Sequence, residues 1–192
     1  MESQVTNKIK IMKQQHIILL IMLLAFCTVS GQYSNEVSGL IGYSNNGYSA
    51  AGNFHYYPDK NIGRYFEIGG YAGFLEEKQT GYDIPIEVYT LNVGYFTNIP
   101  LISNYSKSFL FSVGVGGVIG NESIDFSEIQ LQEREFITTK GGAIYGGYGA
   151  AEADVKITNH LSAIARYTHF YHPESEIGKN KFMIGLGLAF KF

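Results

Sequence analysis

Residues 181–192 constrain the fold more than any other segment, because large apolar side chains alternate there with small ones. This period of two is that of a β-strand, whose successive side chains point to opposite faces. One face is almost entirely apolar, and the other is mostly glycine and alanine where a soluble sheet would be hydrophilic. Lipid outside and a crowded barrel interior fit this pattern better. The apolar face carries Phe182, Ile184, Leu186, Leu188, Phe190 and Phe192, and the small face carries Met183, Gly185, Gly187, Ala189 and Lys191.

Eight segments of alternating or glycine-spaced character follow one another from Glu36 onward. Most approach the roughly nine to eleven residues of a tilted spanning strand. We therefore predict an all-β fold, an eight-stranded antiparallel transmembrane β-barrel. A soluble sandwich or a lipocalin-like barrel is the alternative, and it would need a second layer over the apolar row of the last strand. The predicted strands are 36–43, 48–57, 64–75, 84–97, 108–120, 141–157, 161–171 and 181–192.

The composition favours the same fold, because 23 glycines and 15 tyrosines without tryptophan suit a sheet. Tyrosines near strand ends are expected at headgroup level, where the ring is buried and the hydroxyl stays wet. An even number of strands places both ends of the barrel chain on one side. With these ends in the periplasm, the long 121–140 connection is extracellular. The expected aromatic girdles contain Tyr43, Tyr48, Tyr56, Tyr65, Tyr95 and Tyr171.

The same alternation predicts a polar interior that we call the polar plug. An eight-stranded barrel has just enough room for its own side chains. Arg166 is therefore expected to pair with Glu152, Asp154 or Glu67, which predicts a filled, closed lumen. An ion path or a catalytic carboxylate pair is the functional alternative. The polar plug consists of His55, Glu67, Asn92, Glu152, Asp154 and Arg166.

Both ends of the chain indicate export to the outer membrane. Residues 1–31 combine lysines, an apolar run and small residues, and are expected to be a cleaved signal peptide, with residues 32–192 as the barrel. Translation could alternatively start at Met12. At the other end, Gly187, Phe190 and Phe192 are placed as in the terminal strand by which the barrel-assembly machinery recognises bacterial outer-membrane proteins. Of the formal net charge of -3, residues 1–31 contribute +2, which leaves -5 for residues 32–192. This mildly acidic character argues against direct nucleic-acid binding.

No motif in the sequence predicts catalysis, a cofactor or a metal site. His169 and His172 form a His-x-x-His pair, but residues three apart in a strand point to opposite faces. His169 with Ser175 is a weak hydrolytic pair of the kind that a lipid-modifying enzyme would need, and no acid is placed to orient it. The glycine runs lack the spacing of phosphate-binding loops, and we expect them to relieve crowding on the inner wall.

The connection 121–140 is not a simple solvated loop, because it carries apolar residues among acids. Either the flanking strands extend above the membrane as a hairpin, or this loop is an outer contact surface. The residues of that contact loop would be Ile124, Phe126, Ile129, Leu131 and Phe136.

Short motifs follow one another in a definite order from Phe74 to the carboxyl end. They are Tyr-Asp-Ile-Pro-Ile at 82–86, Val-Gly-Tyr at 93–95, Gly-Val-Gly at 114–116 and Tyr-Gly-Gly at 145–147, followed by Glu152, Asp154, Arg166 and the final Phe-Lys-Phe. This order resembles the TraO family of conjugative-transposon transfer proteins of Bacteroides-type bacteria. The match is poor before Arg64.

The resemblance implies an outer-membrane part of the apparatus that moves DNA between mating cells, and it transfers no catalytic residues. We expect a non-enzymatic anchor or assembly partner that contacts lipid and other conjugation proteins. A small barrel for surface adhesion or envelope stability is the alternative function, and a lipid-modifying enzyme is the third.

Overall fold

The computed structural model of the protein describes residues 35–58, 63–79, 82–103, 108–124, 141–175 and 178–192. Each strand pairs antiparallel with its neighbour in sequence, and the last strand pairs with the first, so the sheet closes on itself. This confirms the predicted eight-stranded antiparallel all-β barrel. The strands are β1 (Asn35–Ser44), β2 (Gly47–Tyr56), β3 (Arg64–Gln79), β4 (Tyr82–Asn98), β5 (Phe109–Ile124), β6 (Gly141–Lys156), β7 (Leu161–Tyr171) and β8 (Asn180–Lys191).

The barrel has two ends that differ in the strands they expose. At the terminal end β1 begins and β8 ends, and at the far end β3 and β4 run on to Gln79 and Tyr82. Both strands extend beyond the predicted limits of 75 and 84, and β5 extends to Ile124 instead of 120. The antiparallel ladder continues there although the apolar alternation has ended, because its hydrogen bonds join backbone groups whatever the side chains. The described residues contain no helix with the length and apolar character to cross a membrane.

Side chains alternate between the two faces of the wall as the sequence predicts. The outer face is apolar over much of its height, as at Ile41, Leu91 and Leu186, of which the last is 66% exposed. The inner face carries a buried apolar cluster together with buried polar and charged groups. The wall therefore has an apolar outside and a mixed inside, the reverse of a soluble barrel.

Five of the six tyrosines expected at the girdles lie exposed on the outer face, but Tyr65 does not. It is 3% exposed and points inward, where its ring stacks on Phe96 with 4.9 Å between the ring centroids. Tyr65 is two residues from Glu67, so the alternation that turns Glu67 inward turns Tyr65 inward as well. Its placement in a girdle was wrong. The exposed tyrosines are Tyr43, Tyr48, Tyr56, Tyr95 and Tyr171.

Candidate functional site

The interior of the barrel is the candidate site, and its central contact crosses the lumen. Arg166 on β7 binds Glu67 on β3 through both carboxylate oxygens, with nitrogen–oxygen distances of 2.5 and 2.7 Å. Such a two-pronged contact between a guanidinium and a carboxylate is among the stronger hydrogen-bonded ion pairs. Strands β3 and β7 lie opposite each other in the ring of eight. The pair therefore joins opposite walls across the lumen.

Other inner side chains hold Arg166 in place around this pair. Its Nε donates to Thr168 Oγ1 at 3.1 Å, and its Nη1 lies 3.4 Å from a carboxylate oxygen of Glu152. The guanidinium also lies over the ring of Phe96, 4.9 Å from the centroid, which adds a cation–π contact. Glu67 was one of three partners that the sequence left open for Arg166.

A second network lies towards the terminal end. Asp154 binds Lys191 at 2.5 Å, so its partner is the lysine at the end of β8 and not Arg166. Lys191 also lies 3.6 Å from Glu36, whose other oxygen is 2.9 Å from His55 Nδ1. Tyr57 donates to Glu36 at 3.3 Å, and burial together with this carboxylate raises the pKa of Tyr57, so its hydroxyl remains a donor.

Aromatic rings fill the space beside the central pair, and glycines on the inner wall make room for them. Tyr148 donates to Glu67 at 2.9 Å, and Phe96 is completely buried. A methyl group added at Gly114 would meet the Phe96 ring, and one at Gly116 would meet Tyr148, at distances that real Cβ atoms do not reach. At Gly114 and Gly116 these contacts confirm that glycine relieves crowding on the inner wall.

A third network, the far-end cluster, consists of Glu122, Ser175 and Lys181. The Lys181 ammonium donates to Glu122 at 3.0 Å, to Ser175 Oγ at 3.0 Å and to the Gly178 carbonyl at 2.7 Å. Ser175 donates to Glu122 at 2.9 Å. These buried contacts join the segment after β7 to the end of β5 and the beginning of β8.

His172 is buried beside the far-end cluster, while His169 is exposed on the outside. The two rings thus point to opposite sides of the wall, as the strand period requires, and the pair does not converge on one ion. Ser175 belongs to the far-end cluster, so the structure does not bring it to His169 either. Burial, with a smaller contribution from the Lys181 charge, lowers the pKa of His172 to about 4, and its Nδ1 has no hydrogen-bond partner.

All six residues of the polar plug are buried inside the barrel. Asn92 accepts a hydrogen bond from Thr90 at 2.9 Å and takes no part in the ion pairs. Sequence reasoning missed Glu36, Glu122 and Lys181. Lys181 could have been found, because it lies two residues before Met183 and must point to the same inner face. Glu122 was assigned to a loop because β5 was predicted to end at 120.

Ile124 requires a correction, because it was expected in the outer contact loop. It is the last residue of β5, points inward and is buried in the apolar cluster. The parity of β5, which turns Ser112 and Glu122 inward, turns Ile124 inward as well. The other four residues of that predicted loop, Phe126, Ile129, Leu131 and Phe136, lie outside the described residues, as does the predicted signal peptide 1–31.

The wall and the interior together define an eight-stranded barrel of the outer-membrane type whose lumen is filled by its own side chains. Solved structures with this fold include the Neisserial surface protein A (NspA), with a TM-score of 0.53 and 10% identity over 84% of this chain and 98% of NspA. The N-terminal β-barrel domain of Pseudomonas aeruginosa OprF has a TM-score of 0.54 and 16% identity over 85% of this chain and 100% of that domain. Ail, the attachment invasion locus protein of Yersinia pestis, has a TM-score of 0.52 and 10% identity over 83% and 99% of the two chains. At these identities the likeness extends to the fold alone.

The sequence also matches the family model described as conjugative transposon protein TraO over residues 33–192. The chain belongs to this family, as its order of motifs predicted. No protein with a curated description is similar to it at a significant level.

Proposed function

We propose that the protein is a non-enzymatic outer-membrane component of a conjugative DNA-transfer apparatus, and that it acts as an anchor or assembly partner and not as a DNA pore. Membership of the TraO family supports the connection with conjugation. The apolar outer wall supports residence in a membrane, because only lipid or another apolar surface satisfies such a wall.

The proposed location is the outer membrane, with the barrel termini in the periplasm and the longer loops outside the cell. The extended β3–β4 and β5–β6 pairs at the far end support this orientation, since outer-membrane barrels have their longer connections on the extracellular side. Residues 1–31 would direct export. Gly187, Phe190 and Phe192 would be the signal for the barrel-assembly machinery.

The contact between Arg166 and Glu67 is the observation that carries the proposed mechanism. It joins opposite walls in the middle of a lumen that aromatic rings also fill. A strand of DNA cannot pass without breaking buried ion pairs, and breaking one such pair costs about 3–5 kcal/mol. The barrel would therefore act through its outside, by contacts of its loops, periplasmic turns or lipid-facing wall with other conjugation proteins, and without direct contact with nucleic acid.

Conductance of the purified barrel in a planar lipid bilayer tests this mechanism directly. We expect no large, stable pore from the native protein. A sustained conductance of a size that would admit a DNA strand would refute the anchor role.

A gene deletion tests the biological role separately. We expect loss of conjugative transfer with a normal envelope, and restoration of transfer by the native gene. Normal transfer with weakened surface attachment or a fragile envelope would favour the alternative function and contradict the proposal.

A further inference from the structure

Three inner side chains from separate strands converge near the terminal end of the barrel: Glu36 on β1, His55 on β2 and Glu152 on β6. One ligand atom from each lies within 4.8 Å of the other two, and all three side chains are buried. A tetrahedral ion with zinc-like bonds of about 2.1 Å holds two ligand atoms about 3.4 Å apart, so the three groups would have to move closer by up to about 1.4 Å. The sequence predicts His55 and Glu152 inside the barrel, but not that they meet Glu36, because the three residues are far apart along the chain.

His55 is oriented as a metal-binding histidine commonly is. Its Nε2 lies 3.0 Å from Glu67, and Glu67 is in turn held by Arg166. A carboxylate that accepts the N–H of one ring nitrogen fixes the ring and directs the lone pair of the other nitrogen towards the metal. That other nitrogen, Nδ1, lies 2.9 Å from Glu36. Without an ion the ring donates to a carboxylate from each nitrogen and therefore carries two protons, and a bound ion would replace the proton on Nδ1.

Glu152 has the weakest partners of the buried carboxylates in this region. Its nearest donors are Tyr65 at 3.2 Å and Arg166 at 3.4 Å, and the same Arg166 already binds Glu67 through both of its oxygens. Buried charge of this kind is costly unless it is compensated.

The charges around these three groups are consistent with a divalent ion. Four buried carboxylates face Arg166, Lys191 and the doubly protonated His55, which leaves one formal negative charge. A divalent ion in place of the proton on His55 Nδ1 would balance the four carboxylates. The carboxylates are Glu36, Glu67, Glu152 and Asp154.

We propose that Glu36, His55 and Glu152 bind one divalent transition-metal ion of the zinc type inside the barrel. An imidazole nitrogen with two carboxylates suits zinc, whereas calcium and magnesium prefer oxygen ligands alone. The ion would tie β1 and β2 to β6 across the lumen.

Zinc chloride titrated calorimetrically into the tag-free barrel, refolded in detergent, tests the proposal. We expect one saturable site per chain. Glu152→Gln removes one charged ligand and should weaken the dissociation constant at least tenfold. Glu122→Gln is the matched control, because Glu122 is equally buried but lies at the far end, and it should leave zinc affinity unchanged.

The variant His169→Ala distinguishes zinc binding inside the barrel from binding at the surface, because it removes an exposed imidazole. Loss of binding in this variant, or equal binding by Glu152→Gln and the native barrel, would mean an adventitious ion only and would overturn the proposal. Absence of saturable binding to the native barrel would overturn it as well. If Glu152→Gln does not fold, X-ray absorption of the zinc-loaded native barrel decides: one imidazole nitrogen with oxygen ligands supports the site, and oxygen ligands alone refute it.

Discussion

Arg166→Met tests the contact that crosses the lumen. Methionine keeps an apolar chain over Phe96 but removes the two hydrogen bonds of 2.5 and 2.7 Å to Glu67. A hydrogen bond to a charged group contributes about 1.5–3 kcal/mol. Loss of one partner from a buried ion pair costs about 3–5 kcal/mol, since the other charge remains buried. We therefore expect the free energy of unfolding to fall by about 3–5 kcal/mol.

A second change, Glu67→Gln, removes the charge of the partner while nearly keeping the volume of its side chain. Alone it should also destabilise the barrel, because Arg166 loses its charged partner. In the double variant the two losses should not add, and we expect a coupling energy of at least about 2 kcal/mol. Urea titrations in lipid vesicles measure each free energy, with the folded fraction read from the electrophoretic mobility of unheated samples.

Arg64→Met is the matched control, because Arg64 is exposed at the start of β3. It should change the free energy of unfolding by no more than about 0.5 kcal/mol. A loss below about 1 kcal/mol for Arg166→Met, or simple additivity in the double variant, would refute the argument that this ion pair supports the plug.

Three further perturbations test other parts of the structure. Gly114→Ala places a methyl group against the Phe96 ring and should lower the free energy of unfolding by about 1–3 kcal/mol in a urea titration. Leu186→Arg introduces a charge on the apolar outer wall and should cost about 2–4 kcal/mol in lipid vesicles if this position lies near the middle of the bilayer. Acid should also weaken the barrel, because the pKa of His172 is lowered from 6.5 to about 4 and the unfolded chain binds the proton more readily. The loss of unfolding free energy caused by His172 is absent above pH 6.5 and grows to about 3 kcal/mol as the pH falls to 4. This loss should disappear in His172→Gln when the free energy of unfolding is measured across the same pH range.

Each of these predictions has its own control. Gly117→Ala adds a methyl group where nothing lies within 4 Å, and equal losses at positions 114 and 117 would contradict the crowding argument. Leu101→Arg changes a residue that is 95% exposed in a turn, and an equal loss there would argue against a lipid-facing wall. The native protein and His172→Gln should have parallel stability profiles above pH 6.5, and parallel profiles down to pH 4 would contradict the burial argument.

The outline of the barrel could be predicted because alternation is a local signal that each strand carries by itself. Leu186 outside and Glu67 inside both follow from it. The ends of the strands could not be predicted as well, because pairing of backbone groups continues after the apolar pattern stops. This is why Ile124 and Glu122 were placed in a loop and not on the inner wall of β5.

The pairing of charges inside the barrel depends on a different kind of information. The sequence places Arg166, Glu67, Glu152 and Asp154 in one lumen, but the tilt and stagger of the strands decide which of them meet. In the structure this stagger brings Arg166 to Glu67 and leaves Asp154 for Lys191. For Tyr65 two rules gave different predictions. Its position near a strand end suggested an aromatic girdle, but the alternation of side chains along β3 turns it inward.

The seam between β1 and β8 places Glu36 opposite Lys191. Until the residues of β8 have been synthesised and delivered, β1 lacks a neighbour on one side, and its backbone groups remain available for unwanted pairing. Chains that are truncated before β8 cannot complete the cylinder. We therefore expect assembly to require a complete β8, and shortened products to be degraded instead of accumulating as incomplete barrels.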